Sequence, residues 1–112
     1  MTPDDAIRLR HMLDAAREAV EFASGHTRDD LAHGRLLTLA LARCVEIIGE
    51  AATKVSAETR ANSPEMPWAD IIGMRHRLVH AYFEVDVGRL RDTVNDDLPH
   101  LIASLERILR TA

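Results

Sequence analysis

Arg75, His76, His80 and Tyr82 are the residues whose types and spacing invite chemistry. An imidazole, with an ordinary pKa of about 6.5, can take or give a proton around neutrality. A guanidinium presents fixed, paired donors that match phosphate oxygens. On a helical wheel Trp68, Ile72, Arg75, Val79 and Tyr82 fall on one stripe, at steps of four, three, four and three. Arg75 interrupts that otherwise apolar stripe, so it requires an ionic partner or a wet cleft. A second stripe holds Ala69, Gly73, His76 and His80. Two small residues followed by two histidines make a face that another helix can approach closely. Gly73 costs about 1 kcal/mol of helix propensity against alanine, and close approach is one reason to carry it.

Each of these residues also has a purely structural reading. Arg75 can pair with Glu46 or Glu50 of the preceding helix. His80 can sit at a helix C-terminus, where a cation is favoured. Tyr82 can be a core residue with its hydroxyl at the rim. His76 and His80 at i,i+4 suit zinc, but no H-E-x-x-H pattern and no third ligand accompany them. Glu46 and Glu50 match Arg43 and Lys54 at helical spacing on a solvated face. Arg89 and Arg91 read as surface charges.

The elements that must position these residues read as helices throughout. Thr2, Pro3, Asp4 and Asp5 form a cap and an acidic first turn. Leu9, Leu13, Ala16, Val20 and Ala23 then recur at helical steps, and Gly25 closes the segment. Thr27 opens a second helix, with Gly34, Leu37, Leu41, Val45, Ile48, Ala52 and Val55 as its stripe, fading by Thr59. Leu36, Ala40, Cys44 and Ile47 widen that stripe, predicting a central helix buried on two sides. The stretch from Asn62 to Pro67 is an irregular linker with two prolines. A third helix follows from Pro67 to about His80. Asp86 caps a fourth, whose stripe is Val87, Leu90, Val94, Leu98, Leu101, Leu105 and Ile108. Pro99 should kink it near Asn95 to Leu98. No segment alternates at period two, so no strand is expected. Four helices with short connections predict an antiparallel four-helix bundle.

Composition narrows the function. The 112 residues carry a net charge of −4, which argues against holding nucleic acid by bulk electrostatics, though not against one or two placed arginines. Four aromatic side chains are too few for a base-stacking sheet. The single cysteine, Cys44, excludes an internal disulfide or a cysteine-cluster zinc site and reads as an inert core thiol. No apolar run suits a membrane span and the first residues are acidic, so a soluble, cytoplasmic chain away from the membrane is expected.

The segment from Arg75 to Tyr82 reads as Arg, four residues, His, one residue, Tyr. It resembles the R-x4-H-x-Y motif of HepT-like ribonuclease toxins of the HEPN superfamily. Pro67-Trp68, Gly73-Met74-Arg75 and the exit Tyr82-Phe83-Glu84-Val85-Asp86 are similar to that family's third helix. Val45 to Ala52 resembles its second-helix signature, and Asp97-Leu98-Pro99 its kinked last helix. The likeness runs from about Arg35 onward. It implies one HEPN-like helical domain over residues 1–112, all-α with a kinked last helix. It further implies a cofactor-free, metal-independent endoribonuclease that is active as a homodimer, its paired motifs facing each other. Arg75 and His80 would be catalytic and His76 auxiliary. The partners implied are RNA and an MNT-type nucleotidyltransferase antitoxin in a type VII-like system, which silences the toxin by AMPylation of Tyr82. Assembly beyond a dimer stays open. The position after the arginine is usually polar in this family, often asparagine; His76 here leaves two histidines as proton carriers.

The residue types suit this reading. The 2′-hydroxyl of RNA attacks its neighbouring phosphate with a base near neutrality and positive charge on the developing phosphorane. Arg75 and His80 lie roughly 140° apart round one helix. One protomer therefore aims both at one point only if the helix end unwinds, and pairing across a two-fold axis is the alternative. Two other functions remain compatible: a non-catalytic HEPN module that binds a nucleotide or its transferase partner, and a helical metal-binding bundle.

Overall fold

The computed structural model describes residues 1–80 and 84–111, the side chains of Val79, His80 and Glu84 excepted. The first helix, α1, spans Pro3–Ala23, with the Thr2 hydroxyl accepting from the Asp5 N–H at 3.1 Å. Gly25 ends it at φ 80°, a left-handed conformation that glycine adopts without strain. Leu9, Met12, Leu13, Ala16 and Ala19 line its buried side, while Val20 and Ala23 of the expected stripe are half-buried.

The expected second helix is three helices: α2 (Arg28–His33), α3 (Arg35–Thr53) and α4 (Ala57–Ala61). The first break is steric. Gly34 donates to the Asp30 carbonyl at 2.7 Å, and its own carbonyl accepts from the Thr38 N–H at 3.0 Å. A Cβ on Gly34 would lie 2.6 Å from that Asp30 oxygen, so only glycine fits the bend. The bend also turns Leu36 out to 85% exposure, against the expectation that it widens the buried face. The second break is a capping event. Ser56 is extended and its hydroxyl accepts from the Thr59 N–H at 3.2 Å, opening α4.

Asp5 fixes α4 to the start of α1. Its carboxylate accepts from the Ser56 N–H at 2.9 Å, the Ser56 hydroxyl at 2.7 Å and the Thr59 hydroxyl at 2.6 Å. The far end of α4 is held by Trp68, whose indole N–H donates to the carbonyls of Arg60 and Ser63, both at 3.1 Å.

Trp68 opens α5, which spans Trp68–Leu78. Its buried residues are Ile71, Met74 and Leu78. The core stripe thus lies beside the one expected, and Arg75 stands on the flank of the helix rather than within a buried face. The helix also stops short of His80. Val79–His80 pairs antiparallel with Glu84–Val85, Val79 opposite Val85 and His80 opposite Glu84. The Asp86 N–H donates to the Leu78 carbonyl at 2.8 Å and closes the loop. This two-residue ladder, β1 with β2, corrects the expectation of no strand; the fold is otherwise all-α.

The last long element is α6 (Val87–Asp92), a π-helical turn (Thr93–Asp97) and α7 (Leu98–Arg110). Pro99 has no N–H for the Asn95 carbonyl and its ring crowds that oxygen. The chain widens just before it, and the Leu98 N–H reaches back five residues to Thr93. A π-helical turn thus stands where the kink is expected. Leu90, Val94, Leu98, Leu101, Leu105 and Ile108 are all buried, as the stripe predicts, and Val87 at its start is half-buried. In the bundle α1 packs against α3 and α7, and α3 packs against α5. Among the described residues, twenty-four apolar side chains, Val55 and Met66 of the connections included, form one buried cluster.

Candidate functional site

The site is built on the α3–α5 pair. Gly49 of α3 is buried, and a Cβ there would lie 3.5 Å from the carbonyl oxygens of both Ile71 and Ile72. This approach sets the register of the two antiparallel helices. One turn before Gly49 stands Glu46; one turn beyond Ile72 stands Arg75. The Arg75 Nε donates to Glu46 Oε1 at 2.8 Å. The partner that Arg75 requires is therefore Glu46, one of the two carboxylates expected for it. The other Glu46 oxygen accepts from Arg43 at 3.2 Å, and Arg43 also lies 3.5 Å from Glu50. The hydrogen bond from Arg75, aided by Arg43, holds the Glu46 carboxyl below its ordinary range despite partial burial. The Arg75 side chain is 47% exposed.

Beside Arg75, His76 is exposed and lines a shallow groove with Ala57, Arg60, Ala69, Ile72 and Gly73. A Cβ at Gly73 would meet nothing within 4 Å. The glycine that admits a neighbouring backbone within this chain is Gly49, and the Ala69–Gly73–His76 face is open. The fourth member of that face, His80, is described in its backbone only, as part of β1. Because α5 ends at Leu78, the 140° offset expected between Arg75 and His80 on a continuous helix does not apply. Tyr82 lies outside the described residues.

Other charges near the motif are engaged at the surface. Arg77 reaches the Asp70 carboxylate at 3.3 Å and the Asp70 carbonyl at 2.9 Å, and Arg89 lies 3.6 Å from Asp86. The Asp5 cluster went unforeseen because it joins residues fifty positions apart; Ser56, a capping type before an acidic turn, was the available signal. Burial pushes the Cys44 thiol up, consistent with an inert core cysteine. Among the described residues no group of three or more His, Cys, Asp and Glu is placed to hold a metal ion. No helix of the described residues is long and apolar enough to cross a membrane. A deeper cleft of about 480 Å³ lies between α5 and α7; its walls carry Glu65, Asp70 and Asp97 against Arg77 and His100, and Arg77 is itself paired with Asp70, so the lining offers a phosphate chain no excess of positive charge.

Residues 12–108 match the family model described as ribonuclease HepT-like. A Thermococcus cleftensis protein named "Probable ribonuclease HepT" is 36% identical over 100 residues, covering 86% of this chain and 91% of its own. A Caldanaerobacter subterraneus protein named "Putative RNase TTE0752" is 33% identical over 102 residues, 91% of each chain. A Methanocaldococcus jannaschii protein named "Putative RNase MJ1380" is 30% identical over 98 residues, 88% of this chain and 90% of its own. No solved structure matches the chain at the same stringency. The chain belongs to the HepT-like ribonuclease family of the HEPN superfamily.

Proposed function

We propose that this chain is the toxin of a type VII-like HEPN/MNT pair, an endoribonuclease acting as a homodimer. The observation that carries the proposal is the exposed Arg75 beside an open small-residue face, in a chain of the ribonuclease family. Two copies meeting on Ala69, Gly73 and His76 would bring two arginines and four motif histidines to one groove. Arg75 supplies donors to the oxygens of the scissile phosphate. His80, or His76 in its place, takes the proton of the 2′-hydroxyl. That oxygen bonds to phosphorus, the bond to the 5′-oxygen breaks, and a second imidazole protonates the leaving 5′-oxygen. The products are a 2′,3′-cyclic phosphate and a 5′-hydroxyl, and no metal takes part.

The net charge of −4 agrees with a site that grips one phosphate rather than a long tract. Silencing falls to an MNT-type nucleotidyltransferase that adds AMP to Tyr82. The test is RNA cleavage by the purified chain in EDTA, with end-group analysis, beside His80→Ala and Arg75→Ala. Cyclic phosphate ends, and loss of roughly 10²–10³ in rate for Arg75→Ala, support the reading. EDTA-sensitive cleavage leaving 3′-hydroxyl ends would overturn the mechanism. A chain that cleaves nothing yet binds the transferase would be the non-catalytic module instead.

A further inference from the structure

We infer that Glu46 is a positioning residue for Arg75, gripping the guanidinium by Nε so that its terminal edge is presented to an RNA phosphate. The inference rests on the ribonuclease reading and goes beyond it by assigning a role on α3, outside the motif. A guanidinium can meet an oxyanion side-on, through Nε and one terminal nitrogen, or end-on, through both terminal nitrogens. Glu46 occupies the Nε with a single oxygen at 2.8 Å. Its second oxygen is taken by Arg43 at 3.2 Å, so the carboxylate does not close over the side-on edge as a two-oxygen clamp. Among the described residues, neither terminal nitrogen of Arg75 donates a hydrogen bond. The end-on edge is left for a ligand with two oxygens in a plane, and a phosphodiester is such a ligand.

The carboxylate is itself well held. Glu46 is 25% exposed, Arg43 is braced by Glu50, and Gly49 one turn on locks α3 against α5. The Glu46 carboxyl is held below its ordinary range, so it stays ionised where an imidazole titrates. A purely structural tie is the competing reading. An ion pair with Arg75 at 47% exposure adds little to stability, and the two helices already share buried packing.

The experiment is a double-mutant cycle on RNA cleavage by the full chain, with kcat and KM measured separately. Glu46→Ala should lower kcat roughly 10- to 100-fold with little change in KM, because a small misplacement of a charge-stabilising group falls on the transition state. Glu46→Gln, which keeps an acceptor oxygen at the same reach, should restore most of that loss. In the Arg75→Ala background, Glu46→Ala should cost nothing further. Glu46→Asp serves where the alanine variant loses its helical circular dichroism, since it keeps the charge but falls one methylene short and should also lose kcat. Full activity of Glu46→Ala beside an impaired Arg75→Ala would overturn the positioning role alone. Equal losses in both backgrounds would also overturn it. An Arg75→Ala chain that cleaves as fast as wild type would overturn the ribonuclease reading of this site itself.

Discussion

Asp5 and Tyr82 show how differently single residues bear on this protein. Asp5 is buried and accepts three hydrogen bonds from Ser56 and Thr59, which hold its carboxyl far below the ordinary 3.8. The first cause is the Thr59 hydroxyl, followed by the two donors of Ser56. A lowered folded value means that the unfolded chain binds the proton more readily. The stabilisation is complete above the unfolded value and is lost as pH falls through about 4 toward the folded one. Asp5→Ala should therefore lose about 2–3 kcal/mol at neutral pH by urea denaturation. Between pH 5 and pH 2 its stability should fall less than that of wild type. Tyr82 bears on control rather than stability. On the proposed function, co-expression with the transferase should raise the mass by whole AMP units and abolish cleavage. Tyr82→Phe should still cleave RNA and escape silencing; its full neutralisation by the transferase would instead make binding the means of inhibition.

At the scale of elements, legibility follows how each boundary is made. The stripes are legible where burial repeats at helical steps, at Leu9, Leu13 and Ala16 of α1 and from Leu90 to Ile108; Val20 and Ala23 keep the phase but are only half-buried. The irregular turn before Pro99 is legible because that proline removes a donor at a known place. The breaks at Gly34 and Ser56 were hidden inside a continuous apolar stripe, where periodicity outweighs a local cap. The end of α5 was missed because Val79 and His80 keep helical phase, while their backbone is claimed by pairing with Glu84 and Val85. The wheel sets Arg75 among the apolar Trp68, Ile72 and Val79, but Trp68 and Ile72 are only half-buried and the core takes Ile71, Met74 and Leu78 instead. The tie of Arg75 to Glu46 was still legible as one of two options, since a charge there required a partner. Two glycines separate these effects by experiment. Gly34→Ala pushes a methyl against the Asp30 carbonyl and should cost about 1–3 kcal/mol. Gly73→Ala meets open space in a helix and should raise the stability of the isolated chain by about 0.5–1 kcal/mol, read by thermal denaturation.

For the whole molecule the open face of α5 carries the proposed assembly. Gly73→Arg projects a charged side chain where nothing stands within 4 Å, so the protomer should keep its helical content. By sedimentation the same variant should be a monomer, and RNA cleavage should fall with dimer content. A Gly73→Arg protein that remains dimeric would move the interface elsewhere. The linkage from Asp5 through α4 to Trp68 has a further consequence. Trp68 is the chain's single tryptophan, it is half-buried, and it forms part of the groove wall beside Gly73 and His76. Its indole N–H is spent on the Arg60 and Ser63 carbonyls, so its emission reports the docking of α4. The protein thus contains its own fluorophore at the junction of two events. Acidification that releases Asp5 would let water reach the indole and shift its emission to the red, while a second protomer closing over the groove would shift it to the blue.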